Sequence, residues 1–316
     1  MYAIVFALVT LSWGGSYLAI RYVVEAMPPL FGAVLRVAIT LVCMIVWLRL
    51  QERRQPTHGR ARRYCIVTGI FSMGVSWGLL FWGERHVAPA VTAILIATTS
   101  IFTTLFLPLI DRRRPISRWQ WYGVPIGFIG VALVFIPHVV AGERGTFWGL
   151  VAVVCAAVCY GIATAMQQPL SRRVSAPRAL LWQCWGALAC LVPVSWWTEA
   201  WPSWEAFVGM ERGIWALLYL AICSTVLAFQ GWFYLIRVKG SVAASTSVYC
   251  VPLVSVLLDA WVLRQFPHWS VLAGAALIFS SVALTQRGRG GEMQKSKCKV
   301  QSAKWADLPV RAIGGE

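Results

Sequence analysis

Acidic residues are scarce in this 316-residue chain. Only 12 Asp and Glu stand against 28 Lys and Arg, and charged residues of both signs make up 13% of the chain, about half the share of an ordinary soluble domain. Histidine occurs four times, at His58, His86, His138 and His268, scattered through loops or segment ends. That scatter excludes the His and carboxylate clusters of a hydrolytic or zinc site. The nine cysteines are odd in number, and all but Cys298 lie in or beside apolar runs, which argues against a disulfide framework and a metal centre. Cys155 and Cys159 share a helix face without His or carboxylate neighbours and read as small packing residues. No Lys-Ser or Lys-Thr follows the glycine pairs Gly74/Gly78 and Gly123/Gly127, so neither reads as a phosphate loop. No cofactor is expected.

What is abundant is apolar surface. Hydrophobic residues form 59% of the chain, and a helix that crosses a bilayer needs about 20 of them in succession. Long apolar runs bounded by charged or Pro/Gly breaks predict ten helices, near 2–22, 29–48, 64–83, 89–110, 119–137, 147–168, 178–197, 213–234, 241–263 and 268–286. Most are apolar all round, as helices packed among lipid and other helices must be. Residues 1–20 lack a basic leader and an A-x-A cleavage site, so they read as an uncleaved first span rather than a secretory signal. The fold class expected is therefore an all-α, multi-pass integral membrane protein.

The net charge of +16 would point to nucleic acid in a soluble protein. Its placement says otherwise. The loops after the second, fourth, sixth and eighth helices and the C-terminal tail hold 22 of the basic residues; the other loops hold five, and Arg36 lies inside the second helix. Lys and Arg in short loops stay on the cytoplasmic side, so this split places both termini in the cytoplasm. The stretch QERRQPTHGRARRY at 51–64 is then topogenic, and no nucleic-acid partner is expected. Residues 287–316, rich in Gly, Lys, Ser and Gln, read as a disordered basic cytoplasmic tail able to touch anionic lipid.

The two halves repeat. Ser12-Trp13-Gly14 aligns with Cys159-Tyr160-Gly161, and the same offset sets Arg36 opposite Gln183. Val87 to Ala93 aligns with Lys239 to Ser245, and Val131-Ala132-Leu133 with Val282-Ala283-Leu284. Five helices match five, at 1–137 and 138–286. Because five is odd, the second repeat enters the membrane from the opposite side, the inverted arrangement that lets two halves rock about a midplane site.

The stretches SWGGSYLAIRYV at 12–23, PPLFGAVLR at 28–36, VAPAVTAIL at 87–95 and GVPIGFIGVALV at 123–134, with GSVAASTSVYCVPLVSVLLDAW at 240–261 and LAGAALIFSSVAL at 272–284, resemble the EamA-type members of the drug/metabolite transporter superfamily. The resemblance covers residues 3–286. It implies a ten-helix transporter without an ATPase domain, often an exporter of amino acids or related metabolites, and it names no substrate. The chain departs from the family's pattern at Ser100, where a Pro is common. It departs again at the ends of the fourth and ninth spans, which read Arg112-Arg113 and Arg264-Gln265 instead of Gly-Glu, so no role of those glutamates carries over.

A charge inside a span is costly and marks a functional candidate. Arg36 lies about 10 Å below the outer end of its helix at 1.5 Å per residue, where a guanidinium can grip a substrate carboxylate with two hydrogen bonds; a structural role against helix-end carbonyls is the competing reading. Asp259 reads as the only carboxylate well inside a span and is the candidate for proton coupling, unless it reaches interfacial water or pairs with Arg36 or Arg264. Gln183 is expected to share the cavity of Arg36 by symmetry. Trp13, Tyr17, Trp77, Tyr160, Trp182 and Tyr249 are deep aromatics that can line a pathway, although core packing explains each of them too. Ten tryptophans near span ends, Trp196 and Trp197 among them, form an interfacial belt. Gly74/Gly78 and Gly123/Gly127 have the spacing of close helix contacts.

These features favour a secondary transporter exporting a small amino-acid-like metabolite, with an opine-type chelator or a drug also compatible. A flippase for a lipid-linked metabolite is the alternative, and an integral-membrane enzyme stands behind it. The partners expected are the small-molecule substrate and the bilayer, and a homodimer is left open.

Overall fold

The computed structural model describes residues 1–50, 59–110, 116–142, 144–170, 174–203, 209–264 and 266–286. The expected basic tail at 287–316 lies outside them. All regular structure among the described residues is helical. Among the described residues, nine helices are long and apolar enough to cross a membrane: α1 Tyr2–Ala26, α2 Pro29–Leu50, α3 Gly59–Glu84, α4 Pro89–Ile110, α5 Arg118–Val140, α6 Arg144–Gln167, α7 Ala176–Thr198, α8 Glu211–Trp232 and, last of them, α10 Trp269–Gln286. Between the last two lies a shorter apolar helix, α9 Cys250–Leu263. Proline opens α2 and α4 and stands in the first turn of α7, where its missing N–H costs no intrahelical bond.

The sequence predicts a loop between the eighth and ninth spans, but the backbone is helical without interruption over Ala228–Leu258. That run is not one straight rod. Trp13 meets Phe229 with ring centroids 5.8 Å apart, while the next residue, Gly14, packs on Val254. Phe229 and Val254 would lie about 38 Å apart on a straight helix at 1.5 Å per residue. The chain therefore turns back on itself, so that α8 and α9 both lie along α1.

Contacts between helices are exchanged between the two halves. α1 packs on α9 and α6 packs on α4; α8 packs on α2 and α3 packs on α7; α8 also packs on α1 and α3 on α6; and α2 packs directly on α7. α5 and α10 meet through Gly123, Gly127 and Gly130 against Thr285, Ser281 and Gly274, joined by the Ser281 hydroxyl donating to the Gly123 carbonyl. Small residues let these backbones approach, which is how helices gain packing energy where lipid is as apolar as they are. Gly74 and Gly78 do the same for α3, against Cys190 and Leu191 of α7. Both third helices of the exchanged set, α3 and α8, carry a π-helical segment, at Ile70–Val75 and Tyr219–Leu227.

The main apolar core lies where α1, α2, α3, α7 and α8 converge, with Ile20, Val23, Ala33, Val37, Met44, Phe81, Cys184, Ala187 and Leu220 fully enclosed. α5 sits at the edge and turns Trp121, Phe128, Ile129 and Ile136 outward, the inverse of a soluble surface and what contact with lipid requires.

Candidate functional site

Arg36 stands two turns into α2, and its depth is set by the way α2 begins. The carboxylate of Glu199, at the C-terminal end of α7, accepts from the first free backbone amides of α2, Leu30 N–H at 2.9 Å and Phe31 N–H at 2.8 Å. A carboxylate there satisfies orphan donors and meets the positive end of the helix dipole. Ser195 and Trp201 brace this cap, the Ser195 hydroxyl donating to Glu199 and the Trp201 indole donating to Ser195.

Arg36 is 5% exposed, and its guanidinium is held on two sides. One terminal nitrogen donates to the Thr225 hydroxyl at 3.2 Å, and the planar group lies over the Trp77 ring, 3.9 Å from its centroid. Stacking of this kind suits Arg because its plane is delocalised and weakly hydrated. Nε of Arg36 has no hydrogen-bond partner. The cation is thus positioned but not saturated, with donors left for an anion.

Each holding residue comes from an irregular or anchored segment. Thr225 belongs to the π-helical stretch of α8, where its hydroxyl donates to the Leu220 carbonyl five residues back; π segments leave carbonyls free for other partners and recur at functional sites. The neighbouring Ser224 carbonyl accepts from the Trp13 indole at 3.0 Å, and the Tyr219 hydroxyl donates to the Ser12 carbonyl at 3.0 Å. α1 is thereby tied to the same stretch. Tyr17 and Tyr160 lie within electrostatic range of Arg36, so Arg36, Trp77, Tyr17 and Tyr160 come together, with Trp13 one hydrogen bond behind them.

The structure places Gln183 and Trp182 elsewhere. The Gln183 amide donates to Thr68 at 3.4 Å, and its backbone is crowded by Gly69. Thr68 precedes Trp77 by nine positions on α3, about 14 Å along a helix. Trp182 lies under Arg62, 5.3 Å from its centroid. The side chain of Tyr249 lies outside the described residues. Among the described residues, no group of three His, Cys, Asp or Glu side chains gathers in the manner of a metal site.

Two carboxylates are buried near the C-terminal ends of α3 and α9. Asp259 is 1% exposed and accepts from Ala90 N–H at 2.7 Å, capping the start of α4 from another helix as Glu199 caps α2. It does not reach open water, and Arg264 closes α9 with a left-handed backbone, φ 52°. Asp259 is also not the only enclosed acid. Glu84, the last residue of α3, is 0% exposed, and neither carboxylate oxygen has a hydrogen-bond partner. Sequence reading ended this span at 83, one residue short, and so left Glu84 in a loop. The signal was present as an acid continuous with the apolar run SWGLLFWGE.

Sequence comparison settles the lineage. The EamA-like transporter family profile matches twice, at residues 1–136 and 147–287. The chain belongs to the EamA-like transporter family. Its EamA relatives include the uncharacterized transporter YoaV of Bacillus subtilis, 24% identical over 85% of this chain and 91% of that protein. The uncharacterized inner membrane transporter YedA of Escherichia coli K12 is 24% identical over 78% of each. A probable terminal-alkyne amino-acid exporter of Streptantibioticus cattleyicolor is 25% identical over 94% of this chain and 96% of that protein. One crystal structure shares the fold, with a TM-score of 0.58 over 92% of this chain and 98% of the other at 18% identity. As an EamA-like protein the chain is a multi-pass inner-membrane transporter, not an enzyme.

Proposed function

We propose that this EamA-like protein is a secondary active exporter of a small, polar, amino-acid-like metabolite that carries a carboxylate, working by alternating access in the bacterial inner membrane. The observation that carries the reading is Arg36, a buried guanidinium stacked on Trp77 and bonded to Thr225 with Nε unpaired. A carboxylate arriving there completes charge-assisted hydrogen bonds in surroundings of low dielectric, where such bonds are strong. Tyr17, Tyr160 and Trp13 supply amphipathic walls. The relative named as a probable amino-acid exporter agrees with that substrate class; opine-type chelators share the chemistry.

The architecture proposed with it is ten spans in two inverted repeats, 1–137 and 138–286, with both termini in the cytoplasm. The turning back of Ala228–Leu258 supports counting α8 and α9 as separate spans. The exchange of contacts between halves, and the π segments in both α3 and α8, support the repeat. Inverted halves packed across a shared seam give two related conformations, each opening the site to one side. The test is metabolite profiling inside and outside cells that lack or overproduce the protein. A carboxylate-bearing solute that accumulates inside the deletion strain and outside the overproducer supports the reading, and that solute should then move across proteoliposomes. An unchanged solute profile with an altered lipid-linked sugar overturns it in favour of a flippase.

A further inference from the structure

The starts of α2 and α4 and the C-terminal ends of α3 and α9 enclose a set of charges that do not balance. Arg36 brings one positive charge, Glu84 and Asp259 one negative charge each when ionised, and all three are buried. Arg21 is in electrostatic range of both acids, but its guanidinium is engaged by Glu25 at 2.6 Å and by the Glu84 backbone carbonyl at 3.2 Å. Asp259 uses one oxygen to cap α4 and leaves Oδ1 unpaired; Glu84 leaves both oxygens unpaired. An enclosed carboxylate with no hydrogen-bond donor and no direct ion pair is among the most expensive arrangements in a protein. Gly83, next to Glu84, packs on Val153 and Gly149 of α6, which locks the end of α3 so that Glu84 stays enclosed.

We propose that Glu84 is the seat of an exchangeable proton, and that Asp259 is the fixed charge beside it, held by its helix cap. One proton on Glu84 leaves Arg36 and Asp259 as a balanced pair and the interior neutral. The groups that face Glu84 are few. α9 brings Asp259, α2 brings Arg36 and α1 brings Arg21 and Tyr17. α6 brings Tyr160, in range of Arg36 and Tyr17, and α4 has no titratable side chain over Pro89–Ile110. Loss of the proton places a second negative charge near Asp259 and within range of Arg36, so the occupancy of Glu84 is coupled to the residue proposed to hold substrate. The inference rests on the transport reading for its purpose but not for its test.

Infrared difference spectroscopy of the purified full-length protein in lipid, titrated with pH in H2O and D2O, reads carboxylic acid protons without any substrate. The expected result is a pH-dependent, deuterium-sensitive carboxylic C=O band that disappears in Glu84→Gln and persists in Asp259→Asn. Glu84→Asp keeps an acid at the site and should shift the band, which preserves the test if Glu84→Gln does not fold. A band unchanged in Glu84→Gln, or absent from the native protein, overturns the proposal. Replacing choline with sodium should leave the titration unaltered; displacement of the band by sodium makes this a metal-cation site and overturns it as well. Metabolite profiling can fail while this titration succeeds, and the reverse, so the two readings are separable.

Discussion

Arg36 is the residue on which the proposed function turns, and its environment separates geometry from charge. A lysine keeps the charge but loses the plane that stacks on Trp77 and the fork that reaches Thr225 while leaving Nε free. Arg36→Lys is expected to give normally inserted protein with export reduced by about tenfold or more, the cost of roughly one lost charge-assisted bond. Export assays set against detergent-solubilised yield distinguish this from a structural role, in which yield would fall with activity. At this scale the sequence was informative about Arg36, because a charge in an apolar run stands out. It was silent about Trp77 as the stacking partner, since eighteen tryptophans look alike until the helices are packed. It also placed Gln183 by symmetry alone; the packed helices set its amide on Thr68, because helix rotation decides direction and a repeat offset does not.

Among the elements, the starts of α2 and α4 behave alike. Each begins at a proline and is capped by a carboxylate from the opposite half, Glu199 on α2 and Asp259 on α4. Truncating such a cap costs about 1 kcal/mol. Glu199→Ala is expected to lower stability by about that amount in thermal unfolding, and more than Glu199→Gln, whose amide oxygen still accepts. The crossing of α3 and α7 is tighter. A side chain on Gly186 would meet the backbone of Ile66, and one on Gly69 the backbone of Gln183, neither of which can rotate away. Gly186→Ala should therefore force the helices apart at a cost of about 1–3 kcal/mol, read as a lower yield of monodisperse protein, whereas Gly59→Ala, in open space, should change nothing. Helix positions were legible from hydropathy because an apolar run of fixed length is a local property. The break between α8 and α9 was legible in the same way, but the helical character of the chain across it was not, since hydropathy does not record backbone conformation.

For the whole molecule, the prediction concerns orientation and the tail. Reporters fused at Met1 and at Gln286 are expected to fold on the cytoplasmic side, and a chain ending at Gln286 should insert and export as the full chain does. A reporter read from the outer side at either end would reverse the topology; loss of export on truncation would give the tail a role.

The chain's apolar runs were enough to determine a multi-pass helical membrane protein, because length and hydropathy act segment by segment, and its motifs carried the resemblance to the EamA-like family. Tertiary structure alone decided which charges meet. It set Arg36 on Trp77 and Thr225, turned Asp259 into a helix cap, and enclosed Glu84 without a partner. Those outcomes depend on how helices rotate and cross, and a sequence records which residues are available to a helix face without recording what that face will touch.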